Sequence, residues 1–262
     1  MPIQPLAACL AAASLLALTA FVVGDVRETY MQWDVHDMSR PKPPVVTPGA
    51  ISTQDAAGTA PSDAIVIFDG TSTDALRHND GSDCTWNILD DGTLEVAPGQ
   101  GGDVLTRQSF GDMQLHVEWM VSEDMPDREG QARGNSGVFL MNRYEVQILD
   151  CYENESYADG MAGSIYGQAP ALANACNPRG QWQMYDIIFR RPHFDDAGNC
   201  IKPATVTVLH NGVLLQDHTE ILGPTRHHAR TEYQAHGDAA PFRLQDHGDK
   251  MRFRNIWVRE LD

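Results

Sequence analysis

Basic residues are scarce in this chain of 262 residues: 19 Lys and Arg stand against 36 Asp and Glu, a formal net charge of −17. A field of that sign repels phosphate backbones and anionic surfaces, so nucleic acid is excluded as an expected partner, whereas neutral sugars or cations fit. Cysteine is sparse as well. No C-x-x-C spacing occurs among the five cysteines, and no zinc site, other metal or cofactor is expected. A long amphipathic stretch of 3.6-residue period is missing, which argues against a helical bundle.

Only one long apolar run is present, residues 6–23, followed by Gly24-Asp25. It reads as a secretory signal or a signal-anchor, although the preceding residues carry no Lys or Arg and no clean A-x-A site follows. Its length is at the lower limit for a membrane span, about 17 residues. The run predicts export, to the periplasm, cell surface or medium, and leaves cleavage or retention as a membrane tether open. Leu6-Ala7-Ala8-Cys9 has the look of a lipoprotein box, but Cys9 precedes the apolar run instead of following it. The other cysteines, Cys84, Cys151, Cys176 and Cys200, permit three disulfide pairings in an exported protein or serve as small buried apolar residues.

Residues 25–63 form an arm. Pro41, Pro43, Pro44 and Pro48 stiffen it toward polyproline geometry, while Trp33, Val35 and Met38 would be wasted in a free spacer, so docking and spacing both remain open. Residues 64–262 read as one folded domain. Period-2 alternation predicts strands at 65–68, 86–89, 93–96, 104–106, 113–121, 137–140, 144–149, 182–189, 205–210, 213–216, 242–247 and 251–260. Asp91-Gly92 and Asn211-Gly212 supply hairpin turns. Residues 151–180 have no sustained period and read as a long ordered loop, which in a compact domain tends to carry function. Many short strands with Gly, Asn and Asp turns imply an all-β sandwich of jelly-roll type.

The stretch Tyr144-Glu145-Val146-Gln147-Ile148-Leu149-Asp150 draws most attention. Alternation puts Glu145 and Gln147 on one strand face and Tyr144, Val146 and Ile148 on the other. A carboxylate beside an amide is either the floor of a sugar groove or a solvated sheet surface. Gln245 and His247 are spaced i, i+2 and would join that floor if their strand shares the sheet; otherwise Gln245-Asp246-His247-Gly248 is a polar strand end. Asn135 and Ser136 form a turn or touch sugar hydroxyls. Tyr166 stacks on a sugar ring or packs. Trp86, Trp182 and Trp257 read as core, His227 and His228 as solvated, and Asp195, Asp196 and Asn199 as a plain turn.

Several segments resemble, in order, the 3-keto-disaccharide hydrolase domain family. They are Phe68-Asp69-Gly70, Gly134-Asn135-Ser136-Gly137-Val138-Phe139-Leu140, the Tyr144 to Asp150 stretch, Ala162-Gly163-Ser164-Ile165-Tyr166-Gly167, Trp182-Gln183-Met184-Tyr185-Asp186-Ile187, Val208-Leu209-His210-Asn211-Gly212-Val213, and Leu244-Gln245-Asp246-His247-Gly248 with Phe253-Arg254-Asn255-Ile256-Trp257-Val258. The resemblance implies a concanavalin A-like jelly roll of two antiparallel sheets, one concave and sugar-facing. It also implies cleavage of glycosides whose sugar is oxidised to a ketone at C3.

Glu145, Gln147 and Asp150 resemble the E-x-D-x-x-E strand of concanavalin-fold glucanases, but an amide replaces the middle carboxylate. That departure weakens an ordinary two-carboxylate mechanism. A 3-keto sugar offers another route, C2 proton abstraction, elimination and hydration, with Glu145 or His247 as base. Asn135, Gln147, Asp150, Tyr166 and Gln245 are then the expected substrate-binding residues. The alternative expectation is a non-catalytic carbohydrate-binding module that uses the same face.

Overall fold

A computed structural model describes residues 32–261. The apolar run 6–23 and Cys9 lie outside the described residues. The chain divides into two units, Met1–Val45 and Val46–Asp262. In the first, Asp37 and Arg40 N–H close successive turns on Asp34 and Asp37 carbonyls, and Val35 and Met38 are exposed. The second unit holds the fold.

Its strands, in chain order, are β1 (Ile65–Phe68), β2 (Leu76–His78), β3 (Asn87–Ile88), β4 (Leu94–Glu95), β5 (Val104–Thr106), β6 (Met113–Val121), β7 (Ser136–Leu140), β8 (Tyr144–Ile148), β9 (Gln183–Arg190), β10 (His193–Phe194), β11 (Cys200–Lys202), β12 (Thr205–His210), β13 (Val213–Glu220), β14 (Thr225–Arg226), β15 (Ala229–Arg230), β16 (Arg243–Leu244) and β17 (Met251–Glu260). They build a large antiparallel sheet ordered β13-β12-β9-β6-β17-β4-β3, with β1 also on β17, and a smaller one ordered β2-β5-β16-β7-β8. This is the expected two-sheet jelly-roll sandwich. No α-helix occurs among the described residues.

Alternation places Leu115, Val117 and Trp119 of β6 and Tyr185, Ile187 and Phe189 of β9 on the inner face of the large sheet. Val138 and Leu140 of β7 and Tyr144, Val146 and Ile148 of β8 meet them from the smaller sheet in one continuous buried core. The Tyr185 hydroxyl donates to the Gln147 carbonyl across that core (2.7 Å). Asn211 (φ 52°) and Gly212 (φ 79°) take the left-handed conformation that a tight hairpin between β12 and β13 demands.

Two expectations differ. The predicted strand 242–247 is only Arg243–Leu244 in the structure. Gln245 N–H still reaches the Gly137 carbonyl (3.1 Å), but the Asp246 carboxylate then accepts from Gly248 N–H (2.9 Å), and this turn carries His247 out of the sheet. Trp182 is half-buried, with the Arg254 guanidinium 4.1 Å from its ring centroid, instead of sitting in the core; Trp86 and Trp257 are buried as expected.

Candidate active site on the small sheet

The outer face of the small sheet carries two rows in which polar side chains stand among apolar or small residues. Register aligns Leu105 of β5, Arg243 of β16, Phe139 of β7 and Glu145 of β8 in one rung. Two residues further along, Gln245, Gly137 and Gln147 form the next rung on the same face. The loop segment from Gly163 to Tyr166 continues the sheet beyond β8. Gln147 N–H donates to Ser164 O (3.0 Å), Gly163 N–H to Gln147 O (2.9 Å) and Tyr166 N–H to Glu145 O (3.2 Å). The long loop read from the sequence thus folds back as an edge that screens Glu145.

Glu145 is 7 % exposed, and this burial pushes its carboxyl up to about 8; Arg243 opposes the rise and Asp103 adds to it. Its side chain lies over Gly137, where a Cβ would stand 2.5 Å from Glu145 Oε1. The absence of a side chain at this point of β7 makes room for the carboxyl. The Gln147 amide is 1 % exposed, and one of its ends lies 2.9 Å from Glu145 Oε1 and 3.1 Å from the Ser136 carbonyl; with the NH₂ placed at that end it donates to both. Arg243 donates through Nη1 to Asp103 (2.6 Å), its guanidinium carbon stands 3.7 Å from the Phe139 ring centroid, and its Nε is buried without a partner.

Tyr166 is half-buried. Its hydroxyl meets the Tyr157 hydroxyl (2.8 Å) and His227 Nδ1 (3.0 Å), and its ring stacks on His227. Burial and the Tyr157 hydrogen bond raise its pKa above the usual phenol value, so the proton stays on oxygen and can be donated. Glu145, Gln147, Gln245 and Tyr166 therefore surround one patch.

Asn135, Asp150 and His247 are placed differently. Asn135 is held by its own N–H on Asp249 (2.8 Å) and its amide on the Gln131 carbonyl (2.9 Å), with its oxygen 3.4 Å from the end of the Gln147 amide that faces away from Glu145. Asp150 is buried in a forked ion pair with Arg133 (2.8 and 3.0 Å) and a further contact to Arg179 (3.2 Å), which ties the two ends of the 151–180 loop. His247 is exposed in its turn.

Sequence reasoning missed Arg243, Tyr157 and His227. Arg243 was within reach, because it precedes Gln245 by two and shares its face. The partners of Tyr157 and His227 are set by tertiary folding alone.

A second buried polar cluster lies on the outer face of the large sheet. His116 stacks on Trp257, contacts Asp186 through Nδ1 (2.8 Å) and lies 3.3 Å from Glu118. Glu118 also accepts from Arg254 (2.7 Å), Asn255 (2.7 Å) and the Ser52 hydroxyl. Arg254 donates to Thr53 O (2.5 Å) and Gln54 bonds the Trp182 backbone in both directions. A cleft of about 760 Å³ adjoins the cluster. Its Arg254 and Asn255 are already occupied, which suits a clasp for residues 52–54 better than a reaction centre. The four cysteines of the described residues are all free thiols; Cys151 Sγ accepts from Ala162 N–H (3.1 Å) and Cys176 Sγ donates to the Leu149 carbonyl (3.8 Å).

Comparison with known proteins agrees with this architecture. A provisionally named glycosyl hydrolase from Parabacteroides distasonis is 45% identical, with a TM-score of 0.81, over 86% of this chain and 95% of that one. A second provisionally named glycosyl hydrolase from the same organism, 19% identical with a TM-score of 0.55 over 76% of this chain and 94% of that one, shares the fold. The 3-keto-disaccharide hydrolase of Bacteroides thetaiotaomicron is 25% identical over 239 residues, 76% of this chain and 78% of that one. Residues 63–259 match the model of the 3-keto-alpha-glucoside-1,2-lyase-like domain, and the chain belongs to that family.

Proposed function

We propose that the protein is a glycoside hydrolase-like enzyme that cleaves 3-keto-glycosides by elimination followed by hydration, with Glu145 as the base. The observation that carries this reading is a buried carboxyl, raised to about 8, with the neutral donors Gln147, Gln245 and Tyr166 and the Arg243 guanidinium around it. Asp150 and Asp103 are both occupied by arginines. A two-carboxylate displacement requires a second free acid on this face; chemistry activated by the substrate's own ketone does not.

In the forward sense Glu145 removes the C2 proton, and the C2–H electrons move into an enolate on the C3 oxygen. Tyr166, Gln245 and Arg243 are the donors suited to that oxygen. The enolate then expels the C1 substituent, whose oxygen keeps the bonding pair and takes the proton that Glu145 carries. Water adds at C1 of the resulting enone and gives up a proton to Glu145, which delivers it to C2. The balance is glycoside plus water to free 3-keto sugar plus alcohol. A buried carboxylate is a stronger base than a solvated one, which is what a weakly acidic C–H needs.

The test is turnover of a neutral 3-keto-disaccharide by the full chain in D₂O. Elimination through C2 requires solvent deuterium at C2 of the released 3-keto-glucose. Glu145→Gln is expected to lower kcat by about 10²-fold or more, the usual range for a general base, with its melting temperature retained. Binding without turnover, or product free of deuterium at C2, overturns the elimination route; binding without turnover points to a carbohydrate-binding module instead.

A further inference from the structure

Beside the Glu145 patch lies a cleft of about 490 Å³, within the size range of small-molecule sites of about 300–1,000 Å³. One wall is Tyr157 and Tyr166 and the other is the β14–β15 hairpin with Arg226, His228 and Arg230. Both walls hang from the backbone of Glu145: Tyr166 N–H donates to its carbonyl, and Thr225 at the start of the hairpin accepts its N–H through Oγ1 (3.1 Å). Whatever occupies the cleft is therefore in register with Glu145.

The charge of this cleft is at odds with the rest of the molecule. The chain carries a net −17, and most arginines of the described residues are engaged with carboxylates, as in Arg107–Asp83, Arg133–Asp150, Arg243–Asp103 and Arg259–Asp63. The side chains of Arg226 and Arg230 have neither an ion-pair nor a hydrogen-bond partner, and both residues are exposed. Asp159 is the single carboxylate in the lining, against two guanidiniums and His228. In so acidic a chain, two unpaired arginines on one short hairpin leave their donors free for an external anion. Guanidinium presents a planar fork that matches a carboxylate or sulfate bidentately, and the Tyr157 ring, 44% exposed in its residue, offers a face for a sugar ring.

We propose that this cleft is a subsite for a saccharide bearing an acidic group, held by Arg226 and Arg230 while its neighbouring sugar reaches Glu145. The inference rests on the reading of the Glu145 patch as the cleavage site and adds the substrate class: glycosides with a carboxylate or a sulfate ester on the partner sugar. The net charge of the chain disfavours anions at long range, but screening confines that field to about 8 Å at physiological salt, so a local cationic cleft can dominate close to the surface.

The experiment compares three 3-keto-disaccharides on the full chain: neutral, uronate-bearing and sulfated. The expected result is a kcat/KM at least about tenfold higher for one or both acidic compounds than for the neutral one, the size of a charge-assisted hydrogen bond. The advantage should shrink as salt is raised. The carboxylate and sulfate arms identify which anion is recognised. In Arg226→Gln/Arg230→Gln the acidic-to-neutral ratio is expected to fall to about one; the single variants serve if the double variant melts early. A wild-type ratio at or below one, or a ratio unchanged in the variants, overturns the subsite.

Calorimetric binding of the corresponding unoxidised disaccharides separates the two readings, because it needs no turnover. Arginine-dependent binding of the acidic compound, without cleavage of any 3-keto compound, sustains the subsite and defeats the cleavage mechanism. Cleavage of the neutral compound with no preference for acid does the reverse.

Discussion

Glu145 joins two measurable consequences in one side chain. As a base it must lose its proton, so kcat is expected to rise with pH through a midpoint near 8, the value to which burial pushes it. If it served only as an acid the limb would fall over the same window. The stability effect has the opposite slope. A carboxyl raised in the folded state binds more protons there than in the unfolded chain between about 4.5 and 8, so the folded state loses stability as pH rises through that window. Thermal melts across it should decline for the wild type and stay flatter for Glu145→Gln.

His116 has the same slope from a different balance. Burial opposes its charge, but the hydrogen bonds to Asp186 and Glu118 prevail and push it up to about 9. Its contribution is complete below the ordinary value of 6.5 and is lost as pH rises through about 9. His116→Gln should therefore melt below the wild type at mildly acidic pH, with the gap narrowing above pH 9. Persistence of the full gap at high pH would assign the loss to packing on Trp257.

At the scale of elements, β7 and β8 make the site together. Gly137 of β7 leaves the space that the Glu145 carboxyl of β8 fills, so Gly137→Ala sets a methyl against Glu145 Oε1. Overpacking of this kind costs about 1–3 kcal/mol, and the displaced carboxyl should depress kcat more than KM, read by steady-state kinetics beside a denaturant melt. Asp150 fastens the loop that becomes the edge beyond β8. Asp150→Asn leaves Arg133 and Arg179 short of their carboxylate and is expected to destabilise by about 3–5 kcal/mol, as breaking a buried pair does. Limited proteolysis should then open the 151–180 loop first.

The strand face was legible in the residues, since Glu145 and Gln147 are two apart in an alternating run and the pleat turns them the same way. The penultimate strand was legible only in part. Its apolar residues, Phe242 and Leu244, alternate correctly, but the Asp246-to-Gly248 turn competes with continued pairing, and periodicity does not weigh that competition. Gln245 keeps its bond to Gly137, and His247, next along, leaves the sheet.

For the molecule as a whole, the folded unit starts earlier than composition suggests. Residues 46–63 lack periodicity and read as arm, yet Ser52, Thr53 and Gln54 bond to Glu118, Arg254, Asn255 and Trp182 on the large sheet. A chain beginning at Ala64 would leave the buried Glu118 and Arg254 with fewer partners. It is expected to melt several degrees lower than the full chain, since each kcal/mol shifts Tm by about 2–4 °C at this size. Equal melting temperatures would mean that the clasp adds nothing to stability.

Local pattern determined the all-β class, the hairpin turns, most strand positions and the shared face of Glu145 and Gln147, because pleat and turn chemistry act over neighbouring residues. Tertiary structure alone decided that Arg243 stands in the Glu145 rung, that Tyr166 returns from the long loop to β8, and that two unpaired arginines face a tyrosine pair. It also decided the protonation of Glu145, since desolvation depends on everything that covers a side chain, and those covering segments come from distant parts of the chain.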